Sequence, residues 1–302
     1  MRTSTNFVSD LKSTFYSGGM TVKLIFINVL VFIVIGVLEV LARIIGGNVG
    51  NGITELTISI FTLSASFKAF IFKPWGLFTS IFTHFGLMHL LFNMLFLYSV
   101  GRMFEQFFSA KRLLYTYILG GLAGGIFELV SHLILPGVEG GLVVGASGAV
   151  MAILVATAFY QPQLTVSIWG LFNMRLIYLA LIFILINLYS AGMGIEDGTA
   201  YFAHLGGALL GYFSVKNPFS SNNIINRGIR MGDQLMQIFK KKPKSSFNKS
   251  TSNARFKTDE DYNFEAKQRQ EKIDKILDKI SKSGYESLTK EEKDFLFRQS
   301  NK

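Results

Sequence analysis

The chain contains no cysteine and only four histidines, and 17% of its 302 residues are charged. Without cysteine it has no disulfide framework, no thiolate nucleophile and no cysteine-ligated metal. Half of the residues are hydrophobic, and 29 phenylalanines stand beside 29 glycines. This balance is typical of a membrane protein, in which aromatic side chains face lipid and small residues allow helices to touch.

The net charge of +10 is concentrated towards the C-terminus. Residues 216–302 contain 20 Lys and Arg against 12 Asp and Glu, whereas the preceding residues contain 10 and 8. These mixed signs favour a solvated tail, and nothing in it indicates nucleic-acid binding. The sequence thus predicts a short cytoplasmic N-terminal tail (1–23), a transmembrane domain (24–215), a flexible polar linker (216–264) and a small helical hairpin (265–302). The hairpin is too short to be stable alone, so we expect it to bind a partner or to self-associate.

Six apolar runs are candidates for membrane-spanning helices, which need roughly 20 residues to cross a bilayer. The first run is longer than the apolar part of a signal peptide and lacks a small-residue cleavage site, so it is interpreted as a retained span. The six runs are Leu24–Ile45, Leu87–Phe104, Leu113–Leu135, Ala146–Tyr160, Leu176–Tyr189 and Ala200–Val215. They predict an all-α membrane protein, with a six-helix transmembrane bundle and a short soluble helical tail.

Loop charges predict the orientation of this bundle, because basic residues remain on the cytoplasmic side. The connections after the second and fourth runs contain Lys or Arg. Those after the third and fifth runs contain acidic residues but no Lys or Arg. Both termini are therefore predicted to face the cytoplasm, with the protein in the plasma (inner) membrane. The first connection departs from this rule with Lys68 and Lys73. It is long and rich in phenylalanine, which indicates a structured loop in the membrane interface.

The fourth run is informative because it is short. Ala146–Tyr160 forms about 22 Å of helix against a hydrocarbon core of roughly 30 Å. If its inner end reaches the cytoplasmic face, Ser147 lies at a helix start below the outer surface. Irregular backbone at that depth is tolerated only where it lines a water-filled cavity or is buried in protein. The sequence therefore predicts a hydrated pocket at Ser147.

Small residues indicate that the sixth run packs against the fourth. The residues that recur at every fourth position are Gly148, Ala152 and Ala156 on the fourth run and Ala203, Gly207 and Gly211 on the sixth. Such rows allow helix backbones to approach closely, although generic packing would produce them as well. Close approach would bring His204 within hydrogen-bonding reach of Ser147, as a base beside a nucleophile.

Hydrogen-bond donors lie at the start of the second run. His89 and Asn93 are four residues apart and therefore share one helix face. Together with the backbone N–H of Ser147, they would form an oxyanion hole for a tetrahedral acyl intermediate. His84 and His89 with Asn93 could instead form a metal site, but a convincing third ligand is lacking. Neither a metal nor another cofactor is predicted.

Each of these residues alone also has a purely structural interpretation. A serine at a glycine-rich helix start is most often a cap, and a histidine at a helix end usually lies at an interface or packs. In the third run, His132 has no polar company and is interpreted as interfacial, and Glu128 as a polar contact within the bundle.

Taken in order, the motifs resemble those of the rhomboid family of intramembrane serine proteases. The resemblance extends from about Leu24 to Val215. Its motifs are His84, His89-x-x-x-Asn93, Gly145-x-Ser147-Gly148 and Ala203-His204-x-Gly206-Gly207, with Gly101-Arg102 and Glu105 at the end of the second run. Each motif is weak by itself, whereas the ordered set, with each motif on its own span, is highly specific.

The resemblance implies a bacterial-type, six-helix rhomboid fold with Ser147 as nucleophile and His204 as general base, without an aspartate. It implies that His89, Asn93 and the Ser147 N–H bind the oxyanion, and that the loop Ser190–Thr199 is a mobile cap. Substrates of similar proteases are single transmembrane segments cut near the outer face. The residues that would support this site are His84, Gly145, Gly148, Met151 and Gly207.

Two positions depart from the family pattern. Trp75 is followed by Gly76 where the family often has arginine, so an arginine-dependent contact of the first loop is missing. Met151, four residues after the serine, stands where an aromatic residue often stacks on the histidine. Methionine packs against an imidazole less rigidly than an aromatic ring does. Both departures bear on the rigidity of the site and on substrate preference.

The favoured function is that of an intramembrane serine endopeptidase whose partners are transmembrane protein substrates and the lipid bilayer. The alternative is a non-catalytic rhomboid-like binder of membrane proteins, which would not need both Ser147 and His204. A channel or transporter would need internal repeats or further polar residues along a pathway, and the sequence has neither.

Overall fold

The computed structural model describes residues 7–135, 141–168, 172–194 and 199–239, and in the C-terminal part residues 273–274, 276, 278–280, 287–289, 291–293 and 295. The chain divides into two compact units, residues 1–241 and residues 242–302.

The described part of the first unit consists of helices joined by short connections. The helices are α1 (Phe7–Ser17), α2 (Met20–Ile45), α3 (Gly47–Phe61), α4 (Phe67–Phe72), α5 (Gly76–Thr79), α6 (Leu87–Phe104), α7 (Ala110–Ile134), α8 (Ser147–Tyr160), α9 (Leu176–Gly192), α10 (Tyr201–Val215) and α11 (Ile224–Phe239), with a 3-10 helix at Ser80–Phe82. Two antiparallel ladders join β1 (Leu63–Ser64) to β2 (Leu142–Val143) and β3 (Thr165–Ile168) to β4 (Phe172–Arg175).

A helix coincides with each of the six predicted spans, within a few residues at either end. Three of these helices, α2, α6 and α7, are long and apolar enough to cross a membrane, and α8 and α9 are shorter apolar helices. The predicted all-α membrane fold is therefore confirmed. In the first unit, strands occur among the described residues only as short ladders in the connections.

The first connection is structured, since it contains α3, α4 and α5. Trp75 Nε1 donates a hydrogen bond to the Ser59 carbonyl at 2.9 Å, and the β1–β2 ladder ties the connection to the segment before α8. Gly76 packs so tightly on the Thr62 carbonyl that any Cβ would collide with it. The arginine of the family pattern therefore has no room in this loop conformation.

The short helix α8 lies at the centre of the bundle. Every residue from Gly148 to Ala158 is buried, and α8 packs against α6, α7, α9 and α10. Polar backbone at membrane depth is tolerated where it is buried in protein, so a central position accommodates a helix too short to span the bilayer.

Glycines on α10 allow it to lie directly on α8. A Cβ at Gly207 would collide with the Gly148 carbonyl, and a Cβ at Gly211 would collide with the Ala152 carbonyl. The two predicted rows of small residues therefore meet, and backbone packs on backbone.

The prediction of a flexible linker over 216–264 is wrong for part of that range, because Ile224–Phe239 forms α11. The helix belongs to the first unit and packs on α7. Residues 240–264 lie outside the described residues.

The C-terminal unit contains a capping box. The Thr289 N–H donates to Glu292 Oε2 at 2.7 Å, and the Glu292 N–H donates to Thr289 Oγ1 at 3.3 Å. The backbone hydrogen bond from Thr289 holds the pKa of Glu292 below its ordinary value, and the contact with Lys279 adds to this. Most of the predicted hairpin lies outside the described residues.

The contact between α8 and α10 predicts opposite effects for two glycine-to-alanine substitutions. Gly211→Ala should lower the free energy of unfolding by about 1–3 kcal/mol, because the added methyl group overpacks the Ala152 carbonyl. Gly36→Ala, in α2 where nothing lies within 4 Å of a Cβ, should be neutral or stabilising by up to about 1 kcal/mol. Denaturant unfolding in detergent measures both, and equal effects at the two positions would contradict the packing described.

Candidate active site

Gly145 shapes the backbone that leads into Ser147, the first residue of α8. Its φ of +119° lies in the region that favours glycine. A Cβ on it would stand 2.8 Å from His89 Nε2 and 3.8 Å from Ser147 Oγ. Glycine is therefore required both for the backbone angle and for the space between the two side chains, and His89 and Ser147 border the same small volume.

The structure brings Ser147 and His204 together. Ser147 Oγ lies 2.6 Å from His204 Nε2, and both side chains are only partly buried. His204 is in the first turn of α10, one turn before Gly207. The contact of Gly207 with the Gly148 carbonyl therefore sets the side chains of Ser147 and His204 side by side.

Asn187, on α9, is a member of the site that the sequence did not reveal. Its Oδ1 lies 2.6 Å from His204 Nδ1, and its Nδ2 donates to the Phe183 carbonyl at 2.7 Å. With Nδ2 engaged as a donor, Oδ1 accepts the Nδ1 proton of His204. This leaves Nε2 as the acceptor that faces Ser147. The sequence feature that could have indicated Asn187 is its position as a lone amide in the otherwise apolar run Leu176–Tyr189.

Glu128 fixes the start of the helix that carries His204. Its Oε2 accepts a hydrogen bond from the Ala203 N–H at 2.8 Å, in the first turn of α10, where a carboxylate also complements the helix dipole. Its Oε1 lies 3.0 Å from His132 Nε2. The prediction of a polar contact for Glu128 is therefore confirmed. The interpretation of His132 as a lone interfacial residue is wrong, because His132 pairs with a carboxylate on the same helix.

The other predicted residues lie around Gly145 and Ala146. His84 is fully buried, and its Nε2 accepts a hydrogen bond from the Ala146 N–H at 3.4 Å. Its ring packs edge-on against that of His89, with 4.9 Å between centroids. Asn93 Nδ2 donates a hydrogen bond to the His89 carbonyl at 2.9 Å, within α6. His89 is thus beside Ser147, whereas the Asn93 amide donates its described hydrogen bond within α6 and not to α8.

The remaining expectations concern Met151, metal ions and the cap loop. Met151 is buried in the core of the bundle. Within the described ranges, no three histidine or acidic side chains are grouped so that they could hold a metal ion. Residues 195–198 of the predicted cap loop lie outside the described residues.

His84 should make stability depend on pH. Burial lowers the pKa of His84 from 6.5 to about 4, His89 lowers it as well, and the Phe82 backbone opposes them. Because the folded pKa lies below the unfolded one, the unfolded state binds more protons between these values. The contribution is complete above pH 6.5 and is lost as the pH falls towards 4, by at most roughly 3 kcal/mol. Comparing unfolding at pH 7 and pH 5 for wild type and His84→Gln measures it, and equal pH slopes would count against it.

Comparison with known proteins identifies the domain that contains this site. Residues 72–216 match the model of the rhomboid domain, and residues 257–302 match a separate family of unknown function. RHOMBOID-like protein 1 of Arabidopsis thaliana is 36% identical over 142 residues, which cover 46% of this chain and 33% of the relative. Inactive RHOMBOID-like protein 8 of the same plant is 31% identical over 110 residues, covering 36% and 28%.

The chain spans about a third of the length of these curated relatives. The matched region runs from the end of α4 to the end of α10 and includes Ser147, His204, His89 and Asn93. The chain is a multi-pass membrane protein that contains a rhomboid domain.

Proposed function

We propose that this protein is an intramembrane serine endopeptidase that cuts transmembrane segments of single-pass membrane proteins. The observation that carries the proposal is the chain of contacts from Asn187 Oδ1 to His204 Nδ1 and from His204 Nε2 to Ser147 Oγ, each 2.6 Å long. A nucleophile, its base and a group that orients the base are the elements of an activated serine.

In the first half of the reaction, Ser147 Oγ attacks the scissile carbonyl carbon while His204 Nε2 takes the hydroxyl proton. The negative charge that develops on the carbonyl oxygen is stabilised by the Ser147 N–H at the start of α8, with His89 as a second donor. Asn93 would join this oxyanion hole by releasing the His89 carbonyl. As the tetrahedral intermediate collapses, His204 gives its proton to the leaving amine and an acyl ester on Ser147 remains.

In the second half, water attacks the ester carbonyl and gives a proton to His204 Nε2. The new carboxyl product leaves as Ser147 recovers its hydroxyl proton from His204. Asn187 acts through His204 as a positioning residue, because it holds the ring so that Nε2 faces the serine in both halves.

The bilayer setting favours transmembrane substrates. Ser147 and His204 are borne by helices of a membrane bundle, and their side chains are partly accessible. The proposed location is the plasma membrane. The loop charges support an orientation with both termini in the cytoplasm. Ser147 would then lie towards the outer face, where a substrate helix can unwind. The C-terminal unit remains a candidate for binding a partner or a second copy.

A non-catalytic role in binding membrane proteins is the second candidate. One relative is named as inactive, so a rhomboid-like domain alone does not establish catalysis. The arrangement in this chain favours the protease, because a binding protein has no need of a serine hydroxyl held 2.6 Å from an oriented imidazole.

A fluorophosphonate probe tests the nucleophile. Purified wild-type protein should form a covalent adduct at Ser147, and Ser147→Ala should form none, because the probe needs the activated hydroxyl. Ser99→Ala, which removes an exposed hydroxyl from α6, serves as the matched control and should label normally. Labelling of Ser147→Ala, or no labelling of wild type in either detergent or lipid, would overturn the assignment.

Substitution of Asn187 tests how the base is oriented. In Asn187→Ala the rate of probe labelling should fall about 5- to 150-fold, because His204 Nδ1–H loses this acceptor and an unsatisfied donor costs about 1–3 kcal/mol. In Asn187→Asp the carboxylate should still accept the Nδ1 proton and should stabilise the imidazolium. It should therefore restore most of the rate and shift the acidic limb of the pH–rate profile to higher pH.

Asn28→Ala is the control for a merely structural effect, since Asn28 is a buried amide that hydrogen-bonds Tyr117 away from the site. It should lower stability without moving the pH profile. If Asn187→Asp were as slow as Asn187→Ala, with no pH shift, Asn187 would have no orienting role.

A further inference from the structure

Helix α11 is held against the membrane bundle at the end opposite the candidate active site. Arg112, near the start of α7, donates a hydrogen bond to the carbonyl of Ser214 in the last turn of α10, and another to Asn226 Oδ1 of α11. Ser147 and His204 lie at the other end of α8 and α10. Ile225 of α11 is completely buried.

Two glycines of α11 allow it to pack closely against α7. Gly228 packs on the side chain of Leu119, and Gly232 packs on the hydroxyl of Tyr115. Asp233 forms a salt bridge with Lys111 at 2.6 Å. The three α7 residues follow one another at intervals of four, so α11 contacts a single face of α7 over its first ten residues.

These contacts fix the depth of α11 in the bilayer. With 25 residues, α7 is about 37 Å long, roughly 7 Å more than the hydrocarbon core. Leu119 is about 14 Å from the start of α7, so it lies within the core however α7 is centred. Asn226 and Asp233 are bonded to Arg112 and Lys111 at the very start of α7, and only Gly228 between them reaches as deep as Leu119, so α11 lies at the boundary of the core.

One face of α11 presents an apolar stripe to its surroundings at this depth. Met231, Leu235 and Ile238 are 63%, 56% and 75% exposed, and their spacing places them on one side of the helix. Arg230 and Gln237, both exposed, lie on a polar side about 100–120° around the helix, and the exposed Arg227 lies one turn before Met231 at the end of the stripe. An apolar stripe beside a polar face is the arrangement of a helix that lies at a membrane surface.

The charge of this segment favours anionic lipid. Residues 224–244 contain six basic residues and one acidic residue, and that acid, Asp233, is already paired with Lys111. Among them, Arg227 and Arg230 are carried by α11 beside its apolar stripe, and basic residues at headgroup depth attract anionic phospholipids. A second copy of the same face would instead bring these positive charges together.

We propose that α11 is a membrane-surface helix whose stripe Met231–Leu235–Ile238 inserts into the leaflet opposite the candidate active site, with its basic residues on anionic headgroups. The inference does not depend on catalysis, because it concerns only the contacts of α11 with α7 and with lipid. The sequence had favoured a solvated tail here, since the helix is hidden in a polar segment.

The absence of cysteine makes a direct test possible on the full-length protein. A fluorophore is attached to Leu235→Cys or to its matched control Gln237→Cys, which lies about 200° away around the helix. Both proteins are reconstituted in vesicles of phosphatidylcholine with or without phosphatidylglycerol. Quenching by nitroxide-labelled lipid should be stronger at position 235 than at 237 by roughly threefold or more, and quenching by aqueous iodide should show the reverse.

Phosphatidylglycerol should increase lipid quenching at position 235, and Arg227→Gln with Arg230→Gln should remove that increase. Equal accessibility of positions 235 and 237 to iodide would overturn the proposal. The proposal would also be overturned if position 235 were shielded from both quenchers and its self-quenching rose with protein density. That result would assign the stripe to contact with a second copy. Neither outcome bears on the reactivity of Ser147.

Discussion

The backbone contact between α8 and α10 is the constraint on which the rest of the site depends. Hydrocarbon supplies no hydrophobic force between helices, so their association relies on close packing and hydrogen bonds. Gly207 packs on the Gly148 carbonyl. Gly148 directly follows Ser147, and Gly207 lies one turn after His204. A side chain at Gly207 would separate the helices at the level of the hydroxyl and the imidazole. Asn187 and Glu128 act on a histidine that this contact has already placed.

An amide rather than a carboxylate orients His204, and the physical reason lies in the surroundings. Asn187 is 4% exposed, and a lone carboxylate at such a position would carry a large desolvation cost. An amide fixes the imidazole tautomer without adding a charge. It stabilises the imidazolium less than an aspartate would, so the proposed catalysis relies more on the geometry of the site.

Much of the fold could be predicted because apolar runs mark the helices and the ordered motifs mark Ser147 and His204. The rest depends on long-range geometry. Asn187 was visible as an amide in an apolar run, but only the packing of α9 against α10 shows what it contacts. Glu128 and His132 were in view four residues apart, yet they were interpreted separately. Helix α11 was missed because Gly228 and Gly232 lower helix propensity, and their role in fitting α7 appears only in three dimensions.

The electrostatics of the site follow from two helix starts that meet there. The positive end of α8 points at Ser147, where it favours the negative charge of an oxyanion. The positive end of α10 lies at His204, where it would oppose formation of an imidazolium during the proposed reaction. Glu128 offsets this second effect, because its carboxylate accepts the Ala203 N–H in the first turn of α10. The same bundle can therefore stabilise a negative charge at the serine and tolerate a positive one at the histidine, only 2.6 Å away.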